Sequence, residues 1–102
     1  MTGQVYSMCK NSPGIRHDLN FRGQIQSASV SIMSNIAEGF SRKTDKEFAQ
    51  FLFIAKGSIA EVQSLLYVAL DQDFIDKTGF TSAYDKADEI ARILSGLITA
   101  IK

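Results

Sequence analysis

A long apolar seam between residues 48 and 69 constrains the fold more than any other feature of this sequence. Its residues recur in alternating steps of four and three, which keeps one stripe of an α-helix against a partner. Thr44 followed by Glu47 fits a capping box, and Asp45 adds negative charge where a helix N-terminus favours it. We therefore predict a helix over about residues 45–72. The seam consists of Phe48, Leu52, Ala55, Ile59, Val62, Leu66 and Ala69.

Two further helices are predicted, at about residues 18–40 and 78–101. The first has Asp18 as a candidate N-cap and two adjacent apolar stripes, which together cover about 200° of the helix, so we expect it to contact two or more neighbours. The other has a four-three seam of its own. Between it and residues 45–72, Phe74 and Ile75 are expected to close the end of the bundle. The last seam is Ala83, Ala87, Ile90, Leu94, Leu97 and Ile101.

A short turn at Ser41–Lys43, after Gly39 as a candidate helix stop, predicts that the helices on either side are antiparallel neighbours. If the turn is centred near Arg42, two residues that lie opposite each other in the two helices have numbers that add up to about 84. That register brings Arg22 near Glu61 and Glu38 near Lys46. We therefore expect an interhelical ion pair at each place.

The N-terminal segment, residues 1–17, is weakly patterned. Ser12, Pro13 and Gly14 form a breaker signal, and the only proline lies there. No strand pattern, repeat or low-complexity tract is present. The sequence predicts one all-α domain over residues 1–102, an antiparallel up-and-down helix bundle of the four-helix type with a short first helix.

Charge and cysteine content favour a cytoplasmic protein without a strong pull toward polyanions or membranes. Eleven basic and eleven acidic residues give a formal net charge of zero. The charge is uneven, because residues 1–56 carry +3 and residues 57–102 carry −3. Cys9 is the single cysteine, so no internal disulfide forms and a reducing compartment is expected. No signal peptide or membrane-spanning run is recognised, so no membrane association is expected.

The central residues resemble the motif of the bacterial four-helix bundle proteins encoded within intervening sequences of 23S ribosomal RNA. The likeness extends from about residue 18 to the C-terminus. The matching elements are Val30-Ser31-Ile32, Ser34-Asn35-Ile36-Ala37-Glu38-Gly39, Arg42-Lys43, Phe51-Leu52, Ile54-Ala55-Lys56-Gly57-Ser58, Glu61 and Leu70-Asp71.

This resemblance implies an antiparallel four-helix bundle that assembles as a ring, typically a homopentamer. The sequence also resembles the accessory proteins of diversity-generating retroelements. That likeness implies a pentameric barrel that binds nucleic acid and assists a reverse transcriptase. Family members usually have a full first helix ahead of the segment that matches residues 5–10. Only the last turns of that first helix are expected in this chain. Where the family commonly has paired basic residues, this chain has Gln26 and Ser27.

The candidate nucleic-acid contacts are basic residues of the first half of the chain. The densest cluster is Arg42, Lys43 and Lys46, and the other two candidates are Arg16 and Arg22. The sequence shows no aromatic residues interleaved with that cluster as a surface for bases. The competing interpretation is a solvated surface with ordinary ion pairs. The motif residues expected to be structural or at an interface are Ser34, Asn35, Glu38, Gly39, Lys56, Gly57, Ser58 and Glu61. Among these, Asn35 and Glu38 can either contact a ligand or satisfy polar groups near the turn. Gly57 and Ser58 are expected to permit close approach of another helix.

No catalytic constellation is recognised, so we expect no enzyme activity, cofactor or small-molecule substrate. His17 is the only histidine, and no Glu-x-x-His pair exists for a di-iron site. Acidic pairs such as Asp73 with Asp76 are interpreted as parts of solvent-exposed helix faces. We therefore expect no metal site.

The function that fits best is a non-enzymatic, self-assembling bundle that binds RNA or another nucleic acid, or acts as a scaffold. The alternative is a structural ring that recruits a protein partner such as a polymerase or reverse transcriptase. The pentamer and RNA are implied by the resemblance alone.

Overall fold

The computed structural model describes residues 1–101 as five helices without a strand, so the all-α prediction is confirmed. The three long helices lie within one residue of the predicted spans at each end. The helices are α1 (Thr2–Asn11), α2 (Pro13–His17), α3 (Leu19–Ser41), α4 (Asp45–Asp71) and α5 (Lys77–Ile101).

The helices form an antiparallel bundle in which α4 contacts α3 on one side and α5 on the other. α1 packs mainly on α3, and α2 is a short link that contacts both of them. The Thr2 hydroxyl donates to the Ser29 carbonyl at 3.5 Å, and the Gln4 amide donates to Ser82 of α5 at 2.9 Å. α3 therefore contacts several neighbours, as its two apolar stripes predicted.

The seam of α4 forms the centre of the core. Six of its residues are fully buried and face α3 and α5, while Phe48 at the first turn is half-buried. α3 contributes Ile25 and Ile32 to the same core, and α5 contributes Ala83 and Ala87. Small residues on α5 let its backbone approach α4 closely. The fully buried seam residues are Leu52, Ala55, Ile59, Val62, Leu66 and Ala69.

The connection from α4 to α5 reverses the chain through a left-handed residue. Asp73 has φ 58°, and its N–H donates to the Leu70 carbonyl at 3.1 Å. The Phe74 N–H donates to the Ala69 carbonyl at 2.8 Å, which completes a Schellman motif with Asp73 where glycine is usual. The Phe74 ring then packs edge-on against Phe21, with ring centres 5.5 Å apart. It closes the bundle end as the sequence predicted.

Residues 2–11 and 13–17 are helical. α1 is the short first helix that the sequence predicts, but the segment is not weakly structured, contrary to what its weak pattern indicated. Val5 and Cys9 lie four residues apart on one face of α1, and both are buried, as is Ile15 of α2. Ser12 is the N-cap of α2, since its side chain accepts a hydrogen bond from the Ile15 N–H, and proline fits the next position. The Ser-Pro pair predicts an interruption of helical structure, but in the fold it forms the first residues of α2. The Ser12 hydroxyl also donates to the Phe74 carbonyl at 2.7 Å.

The register of α3 against α4 also differs from the prediction. Ser31 lies opposite Ser58, whereas the predicted register placed it opposite residue 53. The difference arises because Arg42 and Thr44 have extended backbone conformations, so the contact between the helices starts later along α4. Gly39 lies inside α3, where an added Cβ would be 3.0 Å from the Phe48 ring and 3.2 Å from the Phe51 Cβ. Gly39 is therefore needed for close helix packing and does not end the helix.

This register separates the charges that the sequence predicted to pair. Among the ion pairs that residues 1–101 form, neither Arg22–Glu61 nor Glu38–Lys46 occurs. A five-residue shift moves a side chain more than one helical turn along its axis, about 7.5 Å. The two predicted ion pairs are therefore wrong.

The shortness of α1 leaves part of α3 uncovered. α1 begins beside Ser29, and the stripe of α3 that continues from Ser29 in helical steps includes Met33 and Phe40. Met33 is 59% exposed and Phe40 is 66% exposed. The end of α3 near the turn therefore presents large apolar side chains to solvent.

α4 passes a length-and-composition test for a membrane span, whereas the sequence was expected to contain no such segment. Its most apolar 18-residue window has a mean hydropathy of 1.3, and 28% of that window is buried in the described chain. Core helices of helical bundles pass the same test, and α4 has such a buried seam. On its outward face the apolar side chains of Ile54 and Val68 are exposed, together with the polar side chains of Gln50, Glu61 and Ser64.

Replacing Gly14 by alanine should destabilise the protein, because Phe74 fills the space that a Cβ requires. The added Cβ would lie 2.9 Å from Cε1 of the Phe74 ring and closer still to Cδ1. We expect Gly14→Ala to lower the free energy of unfolding by about 1–3 kcal/mol, measured by denaturant unfolding. Gly3→Ala is the matched control, since nothing lies within 4 Å of that position and alanine favours the helix. Equal stability of the two variants would contradict the packing of Phe74 over α2.

Candidate functional site

The basic residues predicted to bind nucleic acid lie at opposite ends of α3. Arg16 and Arg22 lie near its start, and Arg42, Lys43 and Lys46 lie near its end. The 20 residues from Arg22 to Arg42 span about 30 Å of helix. The sequence analysis grouped these residues as candidates for one function, but the fold places them at two separate sites with different surroundings.

The turn between α3 and α4 is electrically balanced. Arg42 forms ion pairs with Glu38 and with Glu47, the latter at 3.7 Å, and its guanidinium lies 4.8 Å from the centre of the Phe51 ring. Lys43 and Lys46 are exposed, but Asp45 lies between them in the sequence. The three carboxylates of this turn equal its three cations in number, so no continuous basic surface forms here.

An exposed aromatic ring lies beside this turn, contrary to the expectation from sequence. Phe40 is 66% exposed and packs against Phe48 with ring centres 4.9 Å apart. The sequence did not predict an aromatic surface, because Phe40 belongs to one of the two apolar stripes of residues 18–40, both of which were expected to contact neighbouring helices. Phe40 lies beyond the part of α3 against which α1 packs.

The other end of α3 forms a basic cavity with α1 and α2. We call it the N-terminal basic pocket, and its volume is about 580 Å³. Each of its three cations comes from a different helix: Lys10 from α1, Arg16 from α2 and Arg22 from α3. Its walls are Tyr6, Ser7, Cys9, Lys10, Arg16, Arg22 and Gln26.

The pocket contains no carboxylate. Among residues 1–101, no ion pair involves Lys10, Arg16 or Arg22. Asp18 is close in sequence, but its carboxylate accepts a hydrogen bond from the Phe21 N–H at 2.9 Å as the N-cap of α3. The pocket therefore concentrates positive charge that no carboxylate of its own walls offsets.

Cys9 forms the floor of the pocket and is 2% exposed. Burial raises the pKa of the Cys9 thiol, while a hydrogen bond with Gln26 and the positive charge of Arg22 oppose that rise. The thiol therefore stays protonated at neutral pH, and it adds no negative charge to the pocket.

Lys10, Tyr6 and Gln26 were missed as site residues by sequence analysis. The signal was present in α1, because Tyr6 and Lys10 are four residues apart and so share a helix face beside the buried Val5 and Cys9. Recognising it required treating residues 1–17 as helical.

The polar residues of the central motif form hydrogen bonds at the α3–α4 contact, one of which, between Ser31 and Ser58, joins the two helices. The Asn35 amide donates to the Ser31 carbonyl at 2.8 Å and to the Ser31 hydroxyl at 3.1 Å. The Ser31 and Ser58 hydroxyls are 2.8 Å apart, and Ser58 also donates to the Ile54 carbonyl at 3.3 Å. These bonds satisfy polar groups at the helix contact, while Glu38 pairs with Arg42 on the surface.

The remaining motif residues lie on the surface of the chain. Gly57 is exposed with nothing within 4 Å of an added Cβ, so no helix of residues 1–101 approaches it closely, whereas its neighbour Ser58 does lie at the contact with α3. The Lys56 ammonium lies 5.6 Å from the centre of the Phe53 ring. Ser34 is exposed, and Glu61 borders a shallow cleft with Gln24 and Ser27 of α3.

Metal ligands do not cluster in the described part of the chain. No group of three or more histidine, cysteine, aspartate or glutamate residues within residues 1–101 is arranged to hold a metal ion. The expectations of no cofactor, no metal and no enzyme activity stay predictions.

Comparison with known protein families decides the relationship. Residues 1–96 match the family described as 23S rRNA-intervening sequence protein. The chain belongs to this family. The match begins at residue 1 and so includes α1 and α2. No curated protein matches the chain.

A solved structure has the same fold. It is a protein of unknown function from the S23 ribosomal protein family of Bacteroides thetaiotaomicron VPI-5482. The two share 22% sequence identity with a TM-score of 0.84, over 95% of this chain and 87% of that one. At this identity the likeness establishes the helical bundle and not a shared ligand.

The reactivity of Cys9 should report on the charge of the pocket. We expect alkylation of Cys9 to require higher pH than alkylation of the same thiol in the urea-unfolded chain, because burial favours the protonated form. Arg22→Gln should move the alkylation profile to still higher pH, since the arginine charge stabilises the thiolate. Lys46→Gln, at the other end of α3, is the control. A profile unchanged by Arg22→Gln would contradict the placement of Arg22 beside Cys9.

Proposed function

We propose that this protein is a non-enzymatic, cytoplasmic helical bundle that assembles with copies of itself and binds nucleic acid, RNA being the expected partner. The single observation that carries the proposal is the N-terminal basic pocket, where three cations converge without a carboxylate. The family description, which refers to intervening sequences of 23S rRNA, is consistent with this partner.

Binding through this pocket would rest on phosphate contacts. Arginine and lysine side chains neutralise phosphates and release condensed counterions, so affinity falls as salt concentration rises. Such contacts position the backbone and do not read sequence.

Self-association is supported by the outward face of α4. Ile54 and Val68 are exposed there, and the exposed Gly57 lies between them. A glycine in a helix interior costs about 1 kcal/mol relative to alanine, and no contact within the chain offsets that cost. Close packing of another copy against Gly57 would do so. A homopentamer is the assembly that the family resemblance implies.

The balanced charges at the α3–α4 turn favour a second candidate function, recruitment of a protein partner. Glu38 and Glu47 neutralise Arg42, so this end lacks the basic surface that nucleic acid requires. The exposed apolar Phe40 and Met33 beside it suit a protein contact. A polymerase or reverse transcriptase is the class of partner expected under this alternative.

Nucleic-acid binding should depend on the pocket and on salt. We expect the wild-type chain to bind single-stranded RNA with an affinity that falls steeply between about 50 and 200 mM salt, measured by fluorescence anisotropy. Arg16→Gln with Arg22→Gln should lower the slope of log K against log salt by about one to two. Lys43→Gln with Lys46→Gln removes the same charge from the other end of α3 and should have a smaller effect. Salt-insensitive binding, or equal effects of the two double variants, would contradict the proposal and favour the protein-recruiting function.

Self-association should depend on the α4 face. We expect light scattering over a range of concentrations to give a stable pentamer for the wild-type chain. Ile54→Lys should dissociate it, because a buried unpaired charge is costly at an interface. Ile93→Lys is the matched control, since Ile93 lies on α5 and the two isoleucines are similarly exposed, at 52% and 56%. A monomer at micromolar concentration, or equal effects of the two variants, would sink this part of the proposal.

A further inference from the structure

The N-terminal basic pocket is concave, and its shape narrows the class of ligand. Its cations come from α1, α2 and α3 and surround one cavity of about 580 Å³. A protein that tracks a nucleic-acid backbone arranges its cations along a groove that follows successive phosphates. Cations gathered around one open concavity, rather than along a groove, fit the end of a strand. The volume lies within the range of small-ligand pockets, about 300–1,000 Å³, and suits a nucleotide-sized group.

The walls offer contacts for both parts of a nucleotide. Lys10, Arg16 and Arg22 supply charged donors for phosphate oxygens, and arginine presents a planar fork that matches them. Tyr6 is 44% exposed at the rim, and an aromatic ring in that position can stack on a base. Ser7 and Gln26 add neutral hydrogen-bonding groups.

We propose that the pocket binds the terminal phosphomonoester of a nucleic-acid strand, with Tyr6 stacking on the terminal base. This inference rests on the proposed nucleic-acid function and specifies its ligand at this pocket. Free nucleoside monophosphate shares the chemistry, and the experiment below separates the two sources.

The charge of the pocket favours a terminal phosphate over an internal one. A phosphomonoester carries about −1.5 to −2 at pH 7, whereas an internal phosphodiester carries about −1. Three cations and no carboxylate therefore gain more from the monoester. Charge-assisted hydrogen bonds from arginine also strengthen with the charge on the acceptor oxygen. Protonated Cys9 at the floor does not repel the anion.

The test compares RNA oligonucleotides of one sequence with a 5′-phosphate, a 3′-phosphate or hydroxyl groups at both ends. We expect a phosphorylated end to bind at least about tenfold more tightly in fluorescence anisotropy at constant salt, the ratio expected for an added charge-assisted contact. The matching nucleoside monophosphate should compete and the nucleoside should not. Occupancy of the pocket should also slow alkylation of Cys9.

Five variants, two of them controls, assign the preference to the pocket. Arg22→Gln and Lys10→Gln should each remove most of the preference for the phosphorylated end, and Lys10 is exposed enough that its replacement leaves the core intact. Tyr6→Leu should weaken binding of the phosphorylated oligonucleotide, and Tyr6→Phe should retain it, because stacking needs only the ring. Lys46→Gln, which removes one charge at the far end of α3, should leave the preference unchanged.

The outcomes separate this inference from the proposed function. Equal binding of phosphorylated and hydroxyl ends, with both weakened by Arg22→Gln, would overturn the inference and leave nucleic-acid binding standing. Binding of the nucleoside monophosphate without binding of any oligonucleotide would retain a phosphomonoester pocket but overturn the nucleic-acid function and the strand end as its ligand. Binding of none of these probes would overturn both.

Discussion

The buried seam of α4 is the constraint on which the rest of the structure depends. Leu52, Ile59 and Leu66 are fully buried between α3 and α5, and each large apolar side chain contributes about 1.5–3 kcal/mol when removed from water. Holding two helices against one stripe fixes which face of α3 meets α4. It also fixes the contact of Ser31 with Ser58, so the polar bonds of the motif follow from the apolar packing.

Helical periodicity predicted the three long helices, because apolar stripes that recur over several helical turns carry a repeated local signal. It did not predict α1 and α2, which are too short to be stable alone and depend on packing Val5, Cys9 and Ile15 into the bundle. The register of α3 against α4 also escaped prediction. It depends on an extended linker whose backbone conformation is not encoded in any apolar pattern.

The candidate site was only partly predictable for the same reason. Arg16 and Arg22 were identified as cations, but their meeting with Lys10 depends on how α1 folds back onto α3. Conversely, the densest basic cluster in the sequence, around Arg42, is neutralised by Glu38 and Glu47, one of which lies across the turn. Charge density along the chain was therefore a poor guide to charge density in space.

The two proposed activities use separate parts of the molecule, which makes them compatible. The pocket is built from α1, α2 and α3, and α4 contributes none of its walls, whereas the apolar face around Gly57 belongs to α4 alone. Association through α4 would leave the pocket of each copy open. Because a strand end occupies one pocket, an assembly would hold the ends of several strands at once, and an RNA with a phosphate at each end would bind two pockets more tightly than one. Self-association would thereby add to a modest basic pocket an affinity that the neutral net charge of the chain does not provide.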